Sequence, residues 1–235
     1  MCPVSATELE LFVVQRIRII GMGRVGSAIA ARLRERGYEL TDGEADLVLL
    51  CVPDRAIPEV AASVPNGPWI GHTSGATPLS ALDPHERRFS LHPLQSFTRA
   101  RGPEQLDGAF AAVSGESDEA REVGFRLARE LGLEPFALDD SERVLYHAGA
   151  VVAASYLVAL HQAAADLVRT AGAPPEALLP LMRRVIENDF ELTGPAVRGD
   201  WETVEAHLEA IRERRPELEP LYRALADATA ELAVR

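Results

Sequence analysis

Residues 21 to 26 read GMGRVG, three glycines in the spacing G-x-G-x-x-G. That spacing has a physical meaning. Gly21 permits a tight turn, Gly23 lets a pyrophosphate come up against the main chain, and Gly26 lets a helix pack closely on a strand. Free N–H groups at the start of the helix, with the positive end of its dipole, then face the phosphates. The run IRII before the glycines and the small residues after them supply the required strand and helix. The expected ligand is a dinucleotide, with Met22, Arg24 and Val25 completing its cradle. Asp42, about 20 residues on, stands where an acidic residue commonly holds the adenosine ribose.

A second set of residues suits proton transfer. Three apolar runs end in Val52-Pro53-Asp54, in His72-Thr73-Ser74-Gly75 and in His92-Pro93-Leu94-Gln95-Ser96-Phe97. Strand ends of this kind line the ligand crevice of an open α/β sheet. Further on, Tyr146-His147 opens an apolar helical face, and Ser155 follows two helical turns later, near the same face. The chain contains no lysine, so all 24 basic residues are arginine. A Schiff base or a lysine general acid is therefore excluded, and proton transfer falls to His, Asp, Glu, Tyr or water. Asn188, Thr193 and Arg198 are candidates to hold a substrate carboxylate, Arg198 through a bidentate pair. No set of His, Cys, Asp and Glu has metal-ligand spacing, and no metal is expected.

The elements that must position these groups follow from hydrophobic pattern. Apolar runs at Val13–Ile20, Asp46–Val52, Pro68–His72, Arg88–His92, Ala109–Val113 and Glu134–Leu138 read as strands. Helical patterns at Val25–Arg36, Ala56–Ser63 and Ser117–Leu131 alternate with them, which predicts a mainly parallel, doubly wound α/β sheet. After Asp139 only helical signals remain: Glu142–Ala171, a helix opening at Pro174-Pro175 and ending near Phe190, one capped by Asp200, and one opening at Pro216. Two domains are predicted, 1–138 and 139–235. The stretch Gly37–Ala45 is short. Parallel neighbours need a crossover of about a dozen residues, so Tyr38–Asp42 is expected either to be a loop or a stub, or not to pair in parallel with the strand after it.

The chain has 235 residues, 47% apolar and 26% charged, with a formal charge of -12. This describes a soluble globular protein and argues against a general nucleic-acid or anionic-membrane binder. The two cysteines, Cys2 and Cys51, form no recognisable disulfide or metal pattern, and Cys51 reads as a buried thiol. Met1–Glu10 is polar and lacks a signal-peptide core, and the apolar run Ala148–Leu160 is short for a bilayer span. A cytoplasmic protein is expected.

The segments VLLCVPD, HTSG, HPLQSF, YHAGAVVAASYLVAL, LTGPAVRGD and ETVEAHL, in that order, resemble a bacterial family. Its members have an N-terminal Rossmann-like domain and a C-terminal helical domain of unknown function. They are related to ketopantoate reductase, pyrroline-5-carboxylate reductase and 6-phosphogluconate dehydrogenase-like reductases. The resemblance implies NADP-dependent reduction of a small carbonyl or imine acid, with NAD as the alternative cofactor. It further implies a site between the domains and a homodimer formed through the helices. In that reading Val52, Pro53 and Thr73 border the ribose and nicotinamide. The substrate lies among His92, His147 and Ser155, with His147 first and His92 second as proton donor. The family usually has Ser-Asn-Tyr where this chain has Ala154-Ser155-Tyr156, and ketopantoate reductases have a lysine where His147 stands. The competing reading is a non-catalytic Rossmann relic acting as a ligand sensor or dimeric scaffold.

Overall fold

A computed structural model describes residues 14–234; Cys2 and Val13 lie outside them. The chain divides into two compact units, one up to Val152 and one from Ala153. The first unit is built on strands β1 (Arg16–Ile20), β2 (Glu39–Leu40), β3 (Leu47–Leu50), β4 (Trp69–His72), β5 (Arg88–Pro93), β6 (Phe110–Gly115) and β7 (Glu134–Ala137). They form one sheet in the order β2-β1-β3-β4-β5-β6-β7. Every neighbouring pair is parallel except β5 and β6. This is the α/β, mainly parallel Rossmann-like arrangement that the alternating pattern implied.

Burial explains why the strands read as apolar runs rather than alternating ones. Leu47 and Leu49 of β3 pack into the larger core with Ile29 and Leu33 of α1 (Arg24–Glu35) and Val123 and Leu127 of α3 (Asp118–Glu130). Val48 and Leu50 face the other way, onto Ile57 and Ala61 of α2 (Ile57–Ala62). A strand covered on both faces by helices carries apolar residues at every position.

The register of β2 settles the question raised by the short Gly37–Ala45 stretch. Its two residues pair in parallel with β1, Glu39 opposite Arg16 and Leu40 opposite Ile17. On the other side of β1, Leu47 at the start of β3 also lies opposite Ile17. The stub ends at the height where β3 begins, so the chain needs no return journey. A few residues suffice to pass the amino-terminal end of β1, and the Asp46 carboxylate fixes the crossing by accepting the N–H groups of Gln15 and Arg16 at 3.0 and 2.9 Å. The crossover rule holds for full strands and does not apply to one this short.

A continuous helical stretch runs from Asp140 to Thr170. It comprises α4 (Arg143–Val151), a π-helical turn (Val152–Tyr156) and α5 (Leu157–Thr170), and the division between the units falls at that turn. The helix is longer than the apolar run read from the sequence. One 18-residue window within it has a mean hydropathy of 1.5, so it is long and apolar enough to cross a membrane by length and composition alone. Its first full turn nevertheless carries Arg143, which is buried in a polar network of the sheet unit.

The second unit is helical: α5, α6 (Leu178–Glu187), α7 (Trp201–Arg214) and α8 (Glu219–Ala233). The Asp200 carboxylate caps α7 by accepting the Thr203 N–H at 3.1 Å. The buried apolar residues of this unit are Ala165, Val204, Leu208 and Ile211. Leu157, Val158, Leu181, Val185, Ile186 and Leu232 are exposed.

Candidate functional site

The glycine turn joins β1 to α1 at the carboxyl edge of the sheet. Gly21 has φ +102, and a Cβ there would stand 2.5 Å from the Cys51 carbonyl oxygen. A Cβ on Gly26 would lie 1.9 Å from the Gly21 carbonyl oxygen. The fold itself therefore demands glycine at both places. It makes no such demand at Gly23, where a Cβ would meet nothing within 4 Å. Gly23 is the N-cap of α1, contributes no side-chain cap, and no acidic residue occupies the first turn. The first amide groups of α1 are thus left open beside empty space, as a phosphate cradle requires. Met22 and Arg24 are exposed and Val25 is half-buried. The residues present fit a dinucleotide pyrophosphate.

The next strand ends lie alongside. Val52 is in van der Waals range of the Gly21 position, and the Cys51 N–H donates to the Ile20 carbonyl at 2.7 Å. The Thr73 N–H donates to the Leu50 carbonyl at 3.1 Å. Gly21, Val52 and Thr73 therefore follow one another along one edge, and Pro53 leads from it into a 3-10 turn at Asp54–Ala56. Burial pushes the Cys51 thiol up to about 12, so it stays protonated and inert. Asp42 follows the stub β2. The preceding residue, Thr41, donates its N–H to the Ile17 carbonyl, three residues before the end of β1.

The histidines converge on Gly75. A Cβ there would lie 2.5 Å from His147 Cδ2 and 2.9 Å from His92 Cε1 and Nε2. The two imidazoles meet edge to face at 5.8 Å between ring centroids. The Nδ1 of His92 is hydrogen-bonded to the Tyr146 hydroxyl at 2.9 Å. Burial, reinforced by His147 and Arg143, lowers the His92 pKa to about 4. His92 is therefore neutral at pH 7, which makes it a hydrogen-bonding partner and not the charged donor that a histidine near neutrality would be. Burial also raises the Tyr146 pKa, keeping its hydroxyl protonated. His72, at the end of β4, is fully buried, and its pKa falls to about 3, chiefly through burial and then through Arg143. Its Nδ1 accepts the Ser74 N–H at 3.2 Å.

Arg143 holds this arrangement together. It is 1% exposed. Its guanidinium donates to the Ser90 and Ser114 hydroxyls at 2.6 and 3.0 Å and to the Ser74 and Thr77 carbonyls at 2.5 and 2.9 Å. Asp140 stands 3.7 Å away, and its carboxylate accepts the Leu79 N–H at 3.0 Å. One side chain thereby ties the start of α4 to the loop after β4 and to strands β5 and β6. Tyr146 and His147 follow it by three and four residues, so the same anchor fixes their heights. Residue type and spacing do not single out Arg143, Tyr146 as a partner of His92, or the packing role of Gly75. The one available signal for Arg143 was a lone charge in the first turn of an otherwise apolar helix.

The remaining candidates lie in the helical unit, each exposed. Ser155 sits in the π-helical turn, Asn188 at the C-cap of α6, and Thr193 and Arg198 in the segment between α6 and α7.

Solved structures share this fold. A Bacteroides fragilis protein, provisionally described as an NADP oxidoreductase, matches with a TM-score of 0.78 and 21% identity, covering 93% of this chain and 98% of its own. A Thermotoga maritima protein matches with a TM-score of 0.74 and 24% identity, covering 93% and 100%. A reductive aminase from Aspergillus terreus, solved with NADPH and ethyl levulinate, matches with a TM-score of 0.64 and 16% identity, covering 93% and 94%. No curated protein matches the sequence. Residues 109–229, over half of the chain, match a domain of unknown function, DUF2520. The chain belongs to the DUF2520 family, carried here on a Rossmann-like, mainly parallel sheet.

Proposed function

We propose that this protein is an NADP-dependent reductase of a small carbonyl or imine acid, working in the cytoplasm. The observation that carries the reading is the contrast among the three glycines. Gly21 and Gly26 are explained by packing, whereas the space before Gly23 is explained by a phosphate. The shared fold with NADPH-bound reductases supports it.

In this reading the pyrophosphate rests on the amides of Gly21–Gly26, with Met22, Arg24 and Val25 around it. Val52, Pro53 and Thr73 border the ribose and nicotinamide, and Asp42 is the acidic candidate near the adenosine ribose. The cofactor supplies a hydride. The chain's own work is to hold the acceptor and deliver a proton. His147 is the donor, and neutral His92, braced by Tyr146, hydrogen-bonds the substrate or a water beside it. Ser155, Asn188, Thr193 and Arg198 are the groups of the helical unit assigned to the substrate, the last three to its carboxylate. The exposed apolar residues of α5, α6 and α8 are too many for a free surface and support a homodimer through the helical unit.

The test is a thermal or chemical unfolding series with NADPH, NADP and NAD. A ligand at a hundred times its Kd stabilises the fold by about 2.7 kcal/mol. A folded protein with no stabilisation by any of the three would favour the competing scaffold reading, for which the stub β2 is the physical argument.

A further inference from the structure

The hydrogen bond between His92 and Tyr146 has a direction, and the direction decides what His92 offers to the site. A neutral imidazole carries one N–H and one bare nitrogen, and the partner of one nitrogen sets the state of the other. The Nδ1 of His92 lies 2.9 Å from the Tyr146 hydroxyl. Two arrangements are open to the pair. In the first, the phenol donates to a bare Nδ1 and the ring proton sits on Nε2. In the second, Nδ1–H donates to the phenolic oxygen and Nε2 is bare.

The surroundings favour the first. Among the described residues, the Tyr146 hydroxyl has no other hydrogen-bond partner. In the second arrangement its own proton would be left without a protein acceptor on a half-buried side chain, at a cost. A phenol is also the better donor of the two groups, and an imidazole nitrogen the better acceptor. Burial raises the Tyr146 pKa, so the phenolic proton stays in place above neutral pH.

Packing fixes the two rings in this relation. Tyr146 meets Phe136 edge to face at 6.0 Å between centroids, and Phe136 lies 6.4 Å from Phe110. His92 stands near the end of β5, paired with Ala112 of β6. Arg143, three residues before Tyr146, ties the start of α4 to Ser90 and Ser114 of the same two strands. At the far side of the imidazole, Nε2 has no partner among the described residues and is not enclosed. It lies 2.9 Å from where a Cβ on Gly75 would stand, with the His147 ring alongside.

We infer that Tyr146 is a positioning residue, whose hydroxyl donates to Nδ1 and fixes His92 in the tautomer with its N–H on Nε2, on the Gly75 side of the ring. The inference rests on the reductase reading. There the Nε2–H meets the heteroatom of the acceptor group and steadies the electron density that hydride transfer leaves on it. A bare Nε2 would set a lone pair against that density. Tyr146 reaches the reacting atoms only through His92.

The tautomer is read by 1H–15N NMR of the full chain with 15N-labelled histidine at pH 7, because protonated and bare ring nitrogens resonate apart. The His92 signals are those that vanish in His92→Ala. The wild type should show Nε2 protonated and Nδ1 bare. Tyr146→Phe keeps its ring against Phe136 and should move the tautomer ratio about three- to tenfold toward Nδ1–H, the worth of one hydrogen bond. A second arm follows NADPH oxidation with a panel of 2-oxo acids and cyclic imine acids. Tyr146→Phe should lower kcat about three- to tenfold and leave the KM for NADPH unchanged. In the His92→Ala background the same change should cost nothing further. A wild-type Nδ1–H tautomer, a ratio unmoved by Tyr146→Phe, or an equal loss of rate with and without His92 overturns the assignment, while NADPH turnover keeps the reductase reading intact. If no member of the panel is reduced, the reductase reading falls and takes the catalytic half of this inference with it, and the NMR arm still decides the tautomer.

Discussion

Gly75→Ala isolates the geometry of the histidine cluster. The φ of Gly75 lies outside the left-handed region, so alanine brings no backbone strain; the only new demand is space. The added Cβ would stand 2.5 Å from His147 Cδ2 and 2.9 Å from His92 Cε1, where ordinary contact needs about 3.5 Å. One ring must therefore retreat by about 1 Å. His92 is held by Tyr146 at 2.9 Å, so His147 moves more easily. Overpacking of this kind costs about 1–3 kcal/mol. A displacement of about 1 Å in a catalytic group can cost about a hundredfold in rate. Two assays follow. Urea unfolding should show the loss of stability without a change in slope. A pH titration of the imidazoles by NMR should show His92 rising from about 4 toward its ordinary value, because the retreat of His147 weakens one of the influences holding it down. If stability stays within about 0.5 kcal/mol of wild type and His92 titrates unchanged, the two rings do not pack on Gly75 and the cluster as described is wrong.

Other consequences can be checked in parallel. Arg143→Leu should destabilise the fold by about 3 kcal/mol or more, because it strands the Ser90 hydroxyl and two carbonyls in a buried place and takes a donor from the Ser114 hydroxyl; a loss below about 1 kcal/mol in urea unfolding would contradict its role as anchor. The protein should lose stability as pH falls below about 6.5. His72 and His92, with folded values of about 3 and about 4, stay neutral in the native state while the unfolded chain takes up their protons. Each contributes a slope of about 1.4 kcal/mol per pH unit between roughly pH 6 and 4.5, fully restored above 6.5. His72→Gln should remove about half of that slope, and an unchanged slope would refute the assignment. Sedimentation should give twice the chain mass, and Leu181→Glu on the exposed face of α6 should give the monomer; a wild-type monomer would count against the proposed dimer.

Much of the fold was open to reading because its signals are local. An apolar run entering G-x-G-x-x-G specifies a strand, a turn and a helix, and the structure places β1, Gly21–Gly26 and α1 accordingly. The strand ends Val52, Thr73 and His92 could be assigned to one edge because parallel strands bring their carboxyl ends together. Other features depend on register and on long-range packing, which spacing does not encode. That β2 stops opposite Ile17 decides why six residues can lead to β3, and no residue type announces it. The π-helical turn at Val152–Tyr156 carries no proline or glycine to mark it. Gly75 was visible within HTSG, yet its reason lies with His92 and His147, distant in sequence and adjacent in space. Arg143 was hidden by its type, since a charged side chain in a first helical turn ordinarily faces water.

The account's central claim is that the open space before Gly23 belongs to a cofactor phosphate. A fluorescence titration of NADPH against the wild type, Gly23→Asp and Gly26→Ala tests it most directly. The wild type should bind NADPH saturably. Gly23→Asp should remain folded, because nothing within 4 Å opposes its Cβ, and should lose binding, because a carboxylate then occupies the phosphate position. Gly26→Ala should fail earlier, at folding, because its Cβ meets a backbone oxygen at 1.9 Å. NADPH binding by Gly23→Asp at wild-type affinity would contradict the account.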